Sequence, residues 1–87
     1  MKELTYFYLT GCPFCRAADR MLEELAAENP DFAKICVKKI EERENSALAD
    51  QYDYFYVPCL WLGGQKLHEG AVSKEKLRAV LEQAVRP

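Results

Sequence analysis

The chain has 87 residues, 49% of them hydrophobic and 30% charged, with a formal net charge of −2. That length suits one domain with a modest core, residues 1–87 as a single unit, and the hydrophobic share excludes a disordered chain. The Lys and Arg residues are spread along the chain, which argues against a nucleic acid or an anionic membrane surface as partner.

Met1-Lys2-Glu3 leads straight into the apolar run Leu4 to Leu9, with no leader pattern. No stretch approaches the roughly 18 apolar residues of a membrane span. A cytoplasmic, monomeric chain is the expectation. The run Leu4 to Leu9 is apolar or aromatic nearly throughout, so it reads as a strand covered on both faces. A helix is predicted from about Pro13 to Glu28. Ala18, Met21, Leu22 and Leu25 form its apolar stripe, and Pro13 suits its first position. Asn29-Pro30-Asp31 is expected to end it.

Ala33, Ile35 and Val37 alternate with Lys34, Cys36 and Lys38, which predicts a half-exposed or edge strand from about Ala33 to Ile40. Glu41-Glu42-Arg43-Glu44 reads as a solvated loop. A short helix is expected from Asn45 to Tyr52, with Asn45 as its N-cap. Pro58 opens a third strand, Cys59 to Leu62. Gly63-Gly64 turns it into a fourth, Gln65 to Glu69. Ser73 can cap a last helix whose apolar face is Leu77, Val80, Leu81, Ala84 and Val85.

The order β-α-β-α-β-β-α implies an α/β fold. Its first β-α-β half is parallel with a right-handed crossover, and its ββ hairpin is antiparallel. One mixed four-stranded sheet with helices on both faces accommodates every element. It places Cys12 at the C-terminal end of a central strand and at the N-terminus of a helix.

That placement gives the Cys12-Pro13-Phe14-Cys15 stretch its meaning. A Cys-x-x-Cys between a strand and a helix reads as a redox dithiol. Helix N-termini carry unpaired N–H groups and partial positive charge, which hold a thiolate below the free value of roughly 8.5. Cys12, just before the helix, is expected to be the nucleophile. Cys15, one turn in and more buried, is expected to resolve the mixed disulfide. Arg16 and Arg20 add positive charge nearby. Zinc needs four ligands, usually in paired motifs, whereas Cys36, Cys59 and His68 are single residues on predicted strands, so no metal is expected.

Val57-Pro58 is the second signal. A proline at a strand start removes a ladder donor, and X-Pro is the bond for which cis is accessible. A cis Pro58 would turn the Val57 backbone toward the cysteines, where it can hydrogen-bond an extended thiol substrate like an added strand. Candidate substrate contacts are therefore Thr10, Pro13, Phe14, Tyr56, Val57 and Pro58. Of the cluster Tyr52, Tyr54, Phe55 and Tyr56, most are expected to pack the core or its edge and one to line a substrate groove. Cys59 reads as a small buried hydrophobe, with a third redox thiol as the alternative. Cys36 reads as structural, and His68 as a partnerless surface residue.

Cys-Pro-Phe-Cys, Val57-Pro58, Gly63-Gly64 and Gly70-Ala71-Val72-Ser73-Lys74 together resemble the glutaredoxin/thioredoxin superfamily, over essentially the whole chain. The resemblance implies the thioredoxin fold, a cis Pro58 beside the site, and dithiol–disulfide exchange by Cys12 and Cys15. It implies reduction of protein disulfides or glutathione mixed disulfides, no bound cofactor, and a glutathione or thioredoxin reductase system as electron source. The Pro-Phe dipeptide and short length look like dithiol glutaredoxins. That branch usually carries Lys or Arg where Leu9 stands and Asp where Ser73 stands, both to hold glutathione. Each lost contact is worth roughly 1.5–3 kcal/mol when buried, so weak glutathione turnover is expected. The Gly70-Ala71 stretch looks more like thioredoxin. Yet that branch usually has a Trp just before the motif and a buried Asp where Tyr6 stands. The alternative from another class is a non-catalytic metal or iron–sulfur carrier using Cys12, with Cys59 as a possible second ligand.

Overall fold

The computed structural model describes residues 2–86. Its elements are β1 (Leu4–Tyr8), α1 (Pro13–Glu28), α2 (Pro30–Ala33), β2 (Val37–Glu41), α3 (Ser46–Ala49), β3 (Cys59–Leu62), β4 (Gln65–Glu69) and α4 (Lys74–Val85). The strands form one mixed sheet in the order β2-β1-β3-β4. β1 runs parallel to β2 and antiparallel to β3, and β3 is antiparallel to β4.

β1 and β3 are apolar throughout because the sheet is covered on both faces. Leu4, Tyr6, Leu60 and Leu62 join α1, α2 and α4 through Ala18, Leu25, Phe32, Leu77, Val80, Leu81 and Ala84. Phe7, Cys59 and Trp61 face the other way, clustering with Ile40 of β2 and Ala49 of α3. Tyr52 and Tyr54 complete that second layer, each with its ring within 5 Å of Phe7. Among the described residues no helix is long and apolar enough to cross a membrane.

Four expectations are corrected. Asn29 does end α1, but it also starts α2: its side chain accepts the Asp31 N–H at 3.0 Å, with Pro30 in the first helical position. That turn commits Ala33 to a helix, so the second strand begins at Val37 instead. The apparent alternation at 33–37 comes from Phe32 and Ile35 dropping into the core across the turn. β2 is an edge strand, as expected, although most of the alternation that suggested it lies before the strand begins. Glu41 is not a solvated loop residue; it ends β2 and is only 5% exposed. The Asn45 helix is shorter, stopping at Ala49, and the Asn45 side chain donates to the Glu41 carbonyl instead of capping α3. Cys36 lies exposed in the turn before β2, its thiol 3.7 Å from a Glu3 carboxylate oxygen.

Candidate active site

β1 ends at Tyr8, and the chain leaves the sheet through Leu9-Thr10-Gly11. The Cys12 N–H reaches back to the Leu9 carbonyl at 3.2 Å, and Gly11 has φ +84°. This tight turn delivers Cys12 to the N-cap of α1 in extended conformation, φ −84° and ψ 116°. Its Sγ accepts the Cys15 N–H at 3.4 Å, and its carbonyl accepts the Arg16 N–H. The thiol thus occupies the place an N-cap oxygen usually takes. No acidic residue lies in the first turn to oppose a thiolate, and Arg16 adds a positive charge there.

The two thiols are driven apart. Partial burial pushes Cys12 up, but the Cys15 thiol, the Cys15 and Phe14 N–H groups and the Arg16 charge together hold it below the ordinary thiol value. Cys15 is 2% exposed. Its burial, reinforced by the neighbouring Cys12 and by Asp19, pushes it up to about 12. One half-exposed thiol is ionised first and one buried thiol keeps its proton, the division of labour that stepwise disulfide exchange requires.

Tyr6 lies beneath Cys15 and donates its hydroxyl to the Cys15 carbonyl at 3.0 Å. Burial and then the Asp19 charge raise the Tyr6 phenol. Asp19 in turn stands 3.1 Å from the Lys39 ammonium, which lies over the Tyr8 ring.

The second wall comes from β3. β1–β3 pairing runs from Leu4 with Leu62 to Phe7 with Cys59. The pairing ends at that step, and Pro58 and Val57 are the two residues that lead into β3. The Val57-Pro58 peptide bond is cis; the Pro58 carbonyl accepts the Gly70 N–H at 2.9 Å, and Val57 packs against the Phe7 cluster. Pro58 is buried and Val57 half-buried, while Thr10, Pro13, Phe14 and Tyr56 are exposed. Phe14 is 59% exposed, Phe55 86% and Tyr56 69%. The expectation that most of the aromatic cluster packs the core is corrected: Tyr52 and Tyr54 pack against the Phe7 cluster, while Phe55 and Tyr56 stay out of the core.

Those rings sit on a fixed backbone. One Glu69 carboxylate oxygen accepts both the Phe55 and Tyr56 N–H groups, at 2.8 and 3.2 Å, and the other takes the Lys66 ammonium at 2.6 Å. Sequence reasoning missed Glu69, Glu41 and the Tyr6 hydroxyl. A polar residue ending a strand is an ordinary surface pattern, so the only available signal was position. Glu41 closes β2 and Glu69 closes β4, at strand ends where backbone groups lose ladder partners.

The remaining cysteines stay outside the site. Cys59 belongs to the Phe7 face of the sheet, whereas Cys15 sits over Tyr6 on the opposite face. Cys59 is fully buried, pushed up to about 11 by that burial, and takes the Trp61 indole N–H at 3.1 Å. It does not come together with Cys12. Among the described residues no group of three or more His, Cys, Asp and Glu is placed to hold a metal ion. His68 is not partnerless: its Nε2 lies 3.2 and 3.0 Å from the Gly70 and Ala71 carbonyls, closing the turn before α4.

Comparison with known proteins places this geometry. The glutaredoxin family model matches residues 4–67. A thioredoxin of Methanocaldococcus jannaschii is 39% identical over 75 residues, covering 86% of each chain. Thioredoxin 1 of a Nostoc species is 34% identical over 84 residues, 92% of this chain and 77% of that one. Among solved structures, a mutant thioredoxin from Halobacterium salinarum superposes with a TM-score of 0.70 at 28% identity, over 97% of this chain and 74% of the other.

Proposed function

The chain belongs to the glutaredoxin/thioredoxin superfamily, and from that premise we propose that it reduces disulfides of protein substrates with Cys12 and Cys15. The observation that carries the reading is the opposed pair of thiols, one lowered at the α1 N-cap and one buried and raised behind it.

The Cys12 thiolate attacks one sulfur of a substrate disulfide. A Cys12–substrate disulfide forms and the other substrate sulfur leaves as a thiolate. Cys15 loses its proton as it attacks the Cys12 sulfur. The second substrate thiolate leaves, and the Cys12–Cys15 disulfide holds the oxidation. Two electrons have moved to the substrate, and a dithiol reductase must return two to the chain.

Protein substrates suit exposed apolar rings: Phe14, between the two cysteines, and Phe55 and Tyr56, just before Val57-Pro58. Val57 is half-buried and lies two residues before β3, where its backbone can receive an extended peptide as an added strand. Glutathione is poorly served. Leu9 offers no charge, and the Ser73 hydroxyl is occupied in capping α4, where it accepts the Lys76 N–H at 3.0 Å. Lys74 is tied to Glu28 at 2.7 Å.

The test supplies one protein disulfide substrate with two electron sources. NADPH with thioredoxin reductase is expected to sustain turnover, glutathione with glutathione reductase to sustain little, and Cys12→Ser to abolish it. Fast turnover with glutathione alone overturns the donor assignment. Reduction that survives Cys12→Ser overturns the mechanism.

A further inference from the structure

Where β1 leaves the sheet, the backbone of Thr10 loses its strand partners, and two side chains from the end of β2 replace them. β1 and β2 pair in parallel up to Tyr8 with Glu41. Beyond that pair the Glu41 carboxylate turns toward the nucleophile loop. Its Oε2 accepts the Thr10 N–H at 2.9 Å. Its Oε1 accepts the Arg43 and Glu44 N–H groups at 2.6 and 3.3 Å. Arg43 closes the other side of the same peptide unit pair: its Nη2 donates to the Thr10 carbonyl at 3.1 Å and stands 4.0 Å from Glu41 Oε2. Thr10 is thereby held by both N–H and C=O, two residues before Cys12, with only Gly11 between, inside the turn that the Cys12 N–H closes on the Leu9 carbonyl at 3.2 Å.

We propose that Glu41, with Arg43, is a positioning residue for the nucleophile: it fixes the Thr10 backbone so that the Cys12 sulfur stays at the α1 N-cap. The assignment rests on Cys12 being the nucleophile and adds what holds it there. Two features support it. The carboxylate is nearly buried although the residues around it are wet, which is costly unless its hydrogen bonds are made. Those same N–H groups, Thr10 first, pull Glu41 down to about 2, so the clamp stays charged throughout the neutral range. Releasing it gives Cys12 freedom to leave the helix end. The thiolate then loses contact with the Cys15 and Phe14 N–H groups that stabilise it.

The contrast that isolates positioning from charge is Glu41→Gln against Glu41→Met. Both side chains are neutral and nearly equal in length, but only Gln can accept the Thr10 N–H. The readout is the pH dependence of iodoacetamide alkylation of reduced protein, resolved peptide by peptide by mass spectrometry. The charged or titratable groups that act on the thiol are Arg16 and Cys15 from α1 and Tyr6 from β1; Glu41 and Arg43 reach the Thr10 backbone, and only position 41 changes. The Cys12 midpoint in Glu41→Met is expected about half a unit above that in Glu41→Gln, a roughly threefold loss of thiolate at neutral pH. A Met midpoint equal to or below the Gln midpoint overturns the clamp.

Should Glu41→Met fail to fold, hydrogen exchange of the unmodified protein decides. The Thr10 amide is expected to be protected although its residue is exposed, and exchange at an open-loop rate overturns the proposal. If Cys12 is not the fastest-alkylated thiol in the unmodified protein, the function above fails. If it is fastest while Gln and Met coincide, only the clamp fails.

Discussion

Gly11 shows how one residue sets the chemistry of its neighbour. Its φ of +84° is a conformation that side chains with a Cβ rarely adopt, and no atom lies within 4 Å of where that Cβ would be. The cost of a substitution here is therefore backbone strain, not a clash. Gly11→Ala is expected to lose about 1 kcal/mol of stability in urea unfolding. Part of that strain is relieved by reshaping the turn, so the Cys12 thiol is also expected to titrate higher than in the unmodified protein. Unchanged stability and unchanged Cys12 titration would mean the turn does not need its glycine. The placement of Cys12 at the N-cap of α1 and of buried Cys15 one turn in was legible in the sequence, because it follows from spacing and from the strand-to-helix setting. Glu41 was not, because a buried acid and a solvated acid look identical in a charge run. Only the position of Thr10 across the sheet end tells them apart.

At the scale of elements, the helices that seat the sheet differ in how openly the sequence declares them. α1 and α4 carry full apolar stripes, and their bounds agree with the spacing of Ala18, Leu25, Leu77, Val80 and Leu81. α2 is a single turn, too short to show a stripe, and it was masked by an accidental period of two at Ala33, Ile35 and Val37. α4 supplies much of the core on the Tyr6 face, with Leu77 fully buried. Leu77→Ala is expected to cost about 2–5 kcal/mol, a large share of the roughly 5–15 kcal/mol available to a small domain. The Ser73 cap is worth about 1 kcal/mol, so Ser73→Ala should lower the urea midpoint much less. A smaller loss for Leu77→Ala than for Ser73→Ala would contradict the packing of α4.

For the whole molecule, groups shifted in opposite directions bound a window of stability. The Lys66 ammonium, followed by the Phe55 N–H, pulls Glu69 down to about 2, as the Thr10 N–H does Glu41. The ordinary value is 4.5, so the stability these two carboxylates contribute is complete above that pH and is lost as pH falls toward 2. Cys15 and Cys59 are raised, by burial first, to about 12 and about 11 from an ordinary 9.0. Their contribution is complete below pH 9 and is lost as pH climbs through the raised values. The buried phenols of Tyr6 and Tyr54 act in the same sense, while Cys12, lowered, acts in the opposite one. Calorimetry of the reduced protein is expected to give a melting temperature that is flat between these limits and falls on both sides. Glu41→Gln should make the acid limb shallower. A melting temperature that rises on acidification from pH 4.5 toward 2 would contradict the reading.

The central claim is that Cys12 attacks and Cys15 resolves. It is tested most directly by mixing reduced Cys15→Ser protein with a protein disulfide substrate and locating the adduct by mass spectrometry. The account predicts a stable mixed disulfide on Cys12, because the thiol that would release it is gone. An adduct on Cys36, or none at all, would contradict it.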